Sequence, residues 1–156
     1  MSEDYLFRVE DGQKLVDGFF NCTLPKEEWT HEAHLIAGLY LLAHFPETAM
    51  EKMRAHLLAY NESVGGVNDD HNGYHETMTA FWLWAIRFYQ ADELGKLHWS
   101  NDALDALLFE ERLAERNIWL EYYSKERMMS VEARRNLVGP DLKPLPDSTK
   151  KGVFQK

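Results

Sequence analysis

An all-α fold, one compact bundle of about six or seven helices, follows from three features of the chain. Apolar residues recur at helical spacing in one segment after another. No segment alternates apolar and polar residues as a half-buried strand would. Ser or Thr stands at an N-cap position before three of the helical runs.

The first helix is expected over about Asp11 to Asn21, with Leu15, Val16, Phe19 and Phe20 turned inward. Leu24-Pro25 breaks it, and Pro25 suits the first position of a short helical turn. Thr30 caps a helix from His31 to Phe45, which Pro46 stops. The third, about Glu47 to Tyr60, carries Met50, Met53, Leu57 and Leu58 on one face. Asn61 to Gly73 reads as a loop by composition, about a dozen residues long, a length that often means a functional loop. The fourth helix, about Tyr74 to Ala91, is apolar almost all round, which predicts a central place in the bundle. Ser100 caps a fifth helix ending at Phe109. A sixth is expected near Glu111 to Tyr123, and Ser130 caps a short last one, Val131 to Leu137. The helical domain therefore spans 1–138, and 139–156 reads as a C-terminal extension, packed at first and frayed by Lys150.

Composition narrows the function. With 17 basic and 26 acidic residues in 156, the net charge is −9, and no basic stripe is present. A phosphate backbone would repel such a chain, so nucleic acid is not an expected partner. The longest apolar stretch, Leu35 to Phe45, falls far short of the ~20 residues of a membrane span, and Met1 to Arg8 is no secretory signal. A single cysteine, Cys22, excludes an internal disulfide framework and suits a reducing compartment. Flanked by apolar residues, it reads as a buried, inert thiol. The expected location is the cytoplasm. There is no phosphate-binding glycine loop, no G-x-S-x-G elbow and no cysteine pair for zinc.

Histidine is the informative residue type. Of seven, His44, His56 and His98 lie near helix ends or on polar faces. The rest form two clusters. In Glu28-Trp-Thr-His31-Glu-Ala-His34, the two imidazoles stand about 60° apart around one helix. Gly38, below His31 on the same face, leaves room for another helix to approach. In Asp69-Asp70-His71-Asn72-Gly73-Tyr74-His75-Glu76, the long loop turns into the most apolar helix. There His75 sits at a positive helix end that disfavours its protonation, which suits a base or ligand. Joined, His31, His34, His75 and Glu76 could hold one divalent metal, Zn, Fe or Mn, with a position open for substrate. The same residues also serve as helix caps and hydrogen-bonded core groups without any metal. Further along, Arg127 beside Tyr122 and Tyr123 could clamp an anion, or simply set a cation against a helix C-terminus. Asn61 and Asn68 could line a pocket or make turns.

The motifs Trp29-Thr30-His31-x-x-His34-Leu35, Tyr60-Asn61, Gly73-Tyr74-His75-Glu76-Thr77-x-Thr79, Tyr123-Ser124-x-x-Arg127 and Pro140-Asp141-Leu142 resemble an uncharacterised family of small bacterial helical proteins. The resemblance runs from about Phe19 to Leu145. It implies one helical domain, draws attention to His31, His34, His75 and Glu76, and implies no substrate. His71, with Asp69 and Asp70, lies outside the shared pattern.

The leading expectation is an internal pocket lined by His31, His34, His75 and Glu76 and walled by Tyr74, Trp82 and Tyr123, with Asn61 and Arg127 as further ligand contacts. In its enzyme form, a metal-dependent hydrolase or oxygenase, His75 and Glu76 are catalytic and the substrate is small. The alternatives are a metal-free module binding a small polar ligand, and a structural or interaction protein. A homodimer is compatible with the aromatic content.

Overall fold

Side-chain hydroxyls open the helices where the sequence places them: Thr30 accepts from the Ala33 amide, Ser100 from Ala103 and Ser130 from Ala133. The computed structural model describes residues 8–147. Among these the chain is all-α, with α1 (Val9–Phe20), α2 (His31–His44), α3 (Ala49–Ser63), α4 (Glu76–Gln90) and α5 (Asn101–Phe109) as its long helices. Short pieces follow: α6 (Glu111–Ala114), α7 (Lys125–Met128) and α8 (Val131–Arg135). Lys26–Glu28 and Ile118–Glu121 are single 3-10 turns. No helix among the described residues is long and apolar enough to cross a membrane.

Two helices are central, α4 as its apolarity predicts, with α2, α3, α5, α6 and α8 packed on it, and α2 beside it. Eight of the residues of α2, from Ala33 to Leu42, are buried, and α1, α3, α4, α5 and α6 all pack on it. Gly38 sets its closest approach to α4, where an added Cβ would lie 2.7 Å from Ile86 Cδ1. The all-round apolarity of α4 has three separate causes. Phe81, Leu83, Ala85 and Ile86 are buried in the core. Trp82 faces a cavity. Trp84 lies beneath the C-terminal segment, its indole N–H donating to Pro146 O at 2.7 Å.

One further difference from expectation bears on the site. The sixth helix does not run on to Tyr123; it ends at Ala114, and Glu115 to Asn117 form a bend before the 3-10 turn. Beyond Val138 the chain is tied down: Ser124 donates twice to the Asp141 carboxylate, and Leu142 N–H donates to Tyr122 O. The fraying expected near Lys150 lies outside the described residues. Cys22 is half-buried rather than buried, in a left-handed turn (φ 60°) that ends α1.

Candidate functional site

Both histidine clusters reach one cavity. It has a volume of about 660 Å³ and lies between α2, α3 and α4, closed on one side by the 64–75 loop. Leu35, Met53, Leu57, Val64, Met78, Leu83 and Ile86 give it an apolar lining, with Trp29 and Trp82 as its large rings. Of the expected site residues, His31, His34, Asn61, Tyr74, His75 and Trp82 line it; Glu76, Tyr123 and Arg127 do not.

His31 and His34 come from successive turns at the start of α2, as their spacing requires. His31 Nε2 lies 2.8 Å from Leu113 O, and His34 Nδ1 lies 2.7 Å from Thr30 O. A carbonyl oxygen only accepts, so the facing nitrogen of each ring carries the proton and the other keeps a bare lone pair. Neither bare nitrogen has a hydrogen-bond partner among the described residues. Since no sealed side-chain nitrogen or oxygen among the described residues lacks one, both open to solvent space. The rings are held in place by aromatics: His34 lies 4.0 Å from Trp29, and His31 meets Trp82 edge-on at 4.8 Å. Burial, with the nearby His31 and Arg116 charges adding to it, lowers the His34 pKa to about 4 despite the Thr30 carbonyl. Its imidazole is therefore neutral near pH 7.

His75 differs. It is the N-cap of α4: Nδ1 accepts from Met78 N–H at 3.1 Å, and Nε2 donates to Met128 O at 2.7 Å. Both ring nitrogens are spent, so His75 offers no lone pair to a metal and no site for a transferred proton. Its pKa is lowered, first by burial.

Glu76 is turned away from the cavity. Arg54 of α3 grips both its oxygens, at 3.0 and 2.8 Å, and the Tyr74 hydroxyl donates to it at 2.7 Å. The guanidinium holds the carboxyl below its usual range, which makes it a poor base. The group ties α3 to the start of α4 and borders a separate shallow groove with Arg134 and Arg135. The expected four-ligand centre of His31, His34, His75 and Glu76 is therefore not assembled. Only the first two keep free donor atoms. No cluster of three or more His, Cys, Asp or Glu suited to a metal ion occurs among the described residues.

Tyr123 and Arg127 fasten the C-terminal segment instead of walling the pocket. The buried Tyr123 hydroxyl donates to Val138 O at 2.8 Å, and Arg127 Nε donates to Gly139 O at 2.6 Å. Asn61 and Asn68 shape the loop: the Asn61 amide donates to Asn68 Oδ1, which also accepts from Tyr74 N–H. Asn61 thus lines the cavity and makes the turn that closes it.

Among the lining residues missed from sequence are Trp29 and the two cations, Lys26 and Arg116. Lys26 stands on the 3-10 turn after Pro25, and Arg116 on the bend that interrupts the expected sixth helix. Asn117 after Arg116 is the one local hint of that bend, because asparagine favours turns.

The chain matches no protein-family model, and neither a curated protein nor a solved structure is significantly similar to it.

Proposed function

We propose that this chain is a small-molecule-binding domain whose ligand occupies the cavity between α2, α3 and α4 without a metal ion. The observation that carries the reading is the cavity itself, about 660 Å³ with a mostly apolar lining and a few convergent polar groups. Ligand sites commonly measure 300–1,000 Å³ and have that character. Inside it, Trp82 and the edge of Trp29 supply apolar surface, and the unpartnered ring nitrogens of His31 and His34 supply two fixed polar groups. Their Leu113 and Thr30 carbonyl partners set both tautomers before a ligand arrives, which limits the ordering cost of binding.

A metal-dependent form draws less support, because His75 and Glu76 are committed elsewhere and two imidazoles fall short of the usual ligand count. A purely structural role leaves the open cavity and its two free ring nitrogens without a purpose.

A ligand-observed NMR screen of small aromatic fragments, run on wild type and Leu57→Trp, tests the proposal. Leu57 lines the cavity, so the larger ring fills it. Binding in wild type that is lost in the folded variant is the expected outcome. Fragments that bind both proteins equally, or neither, would overturn the proposal. Elemental analysis and zinc titration of the same samples are expected to show no stoichiometric uptake; a tight single zinc site dependent on His31 and His34 would restore the metal reading.

A further inference from the structure

The charged residues that line the cavity are of one sign. The chain carries 26 acidic residues against 17 basic ones, yet no Asp or Glu lines the cavity, while Lys26 and Arg116 both do. Neither cation has a hydrogen bond or ion pair from its side chain among the described residues. Elsewhere Arg54, Arg112 and Arg135 each hold a carboxylate. In an acidic protein, two unpaired cations at the mouth of an acid-free apolar cavity are an uneven distribution. Field lines concentrate in such a low-dielectric recess and favour an incoming anion. Arg116 acts on the interior, since its charge contributes to holding His34 neutral. The neutral His34 then presents an acceptor lone pair, which calls for a hydrogen-bond donor on the ligand, and His31, with Nε2 against Leu113 O, adds a ring nitrogen without a partner among the described residues.

We infer that the ligand is a small organic anion with a ring-sized apolar body: its carboxylate or sulfonate faces Arg116 and Lys26, and an N–H or O–H meets the imidazole nitrogens of His31 and His34. This rests on the reading that the cavity holds a ligand, and adds the ligand's charge and donor group. Trp82 bounds the body together with the edge of Trp29, whose ring already packs against Phe19 at 4.1 Å and His34 at 4.0 Å. Arg is suited to a planar carboxylate by its fork of donors, and Lys contributes a point charge.

Two dyes that differ by one anionic group give the test: 8-anilinonaphthalene-1-sulfonate and its neutral parent, N-phenyl-1-naphthylamine. Both carry the N–H, and only the first carries the charge. Each is titrated by fluorescence into wild type, Arg116→Gln, Lys26→Gln and Leu57→Trp at low salt, with circular dichroism to confirm folding. Arg116 and Lys26 are exposed, so their variants are expected to fold. The anionic dye should bind wild type about tenfold more tightly than the neutral one, and each Gln substitution should remove about three- to tenfold of that preference while leaving the neutral dye unchanged. Equal affinity for both dyes, or no change of preference in the Gln variants, overturns the inference while leaving a ligand cavity. No loss of either dye in Leu57→Trp overturns the ligand cavity as well. If Leu57→Trp does not fold, intermolecular NOEs from the bound dye to the Trp29 and Trp82 indoles replace it, and their absence has the same meaning.

Discussion

His34 is where environment changes chemistry most. Its ring is pulled out of bulk water and set near His31 and Arg116, so protonation is disfavoured in the folded chain and its pKa falls to about 4. In the unfolded chain the ordinary value near 6.5 applies. Between these values only the unfolded state binds the proton. The His34 contribution to stability is therefore complete above about pH 6.5, falls as the pH drops toward about 4, and is flat below that, with a slope on the order of 1 kcal/mol per pH unit from this group. Urea unfolding at a series of pH values should show this slope in wild type and a shallower one in His34→Asn; equal slopes contradict the assignment. Glycine gives a second contrast. Gly65 and Gly73 both have positive φ (91° and 80°), but a Cβ at Gly65 meets nothing within 4 Å, while one at Gly73 would lie 2.3 Å from Val67 O. Gly65→Ala should cost about 1 kcal/mol from backbone strain alone, and Gly73→Ala about 3 kcal/mol once the clash is added. Thermal denaturation of the two variants checks the order.

Among the elements, the joint between α4 and the C-terminal segment is the most exacting. Thr77 is fully buried; its hydroxyl donates to Asn136 O at 2.7 Å and accepts from Val138 N–H at 3.1 Å. Thr77→Val keeps the shape but leaves a buried amide and a carbonyl unpaired. A loss of about 2 kcal/mol is expected by chemical denaturation, against less than about 1 kcal/mol for Thr77→Ser, which keeps both bonds. Much at this scale was legible in the sequence, because caps and breakers act locally: Thr30, Ser100 and Ser130 open helices as read, and α5 ends at Phe109. The bend at 115–117 was not, since Glu, Arg and Asn are each tolerated in a helix and Asn117 is a weak signal; there the Glu115 carboxylate accepts from Asn117 N–H instead. The site divides in the same way. Helical spacing places His31 and His34 together, but their free nitrogens depend on which carbonyl each ring meets. For His31 that is Leu113, 82 residues away, and for His75 it is Met128, 53 residues away. Glu76 was misjudged for the same reason, its Arg54 partner lying 22 residues back on α3.

At the scale of the whole molecule, the long helices enclose an apolar cavity, and the breaks between elements set polar groups around its mouth: Lys26 from the turn after Pro25, Arg116 from the interrupted sixth helix, Tyr74 from the loop before α4. The bundle supplies rigidity and the connections supply chemistry, the usual division of labour between scaffold and loops. Exposed apolar residues such as Phe109, Leu120 and Leu142, none of them in the cavity lining, offer a rival place for an apolar molecule to stick. The measurement that bears most directly on the account is therefore the location of a bound neutral probe. N-phenyl-1-naphthylamine bound to isotope-labelled wild-type protein should give intermolecular NOEs to Trp29, Met53, Trp82 and Ile86. NOEs to Phe109, Leu120 or Leu142 instead, with none to the cavity, would contradict it.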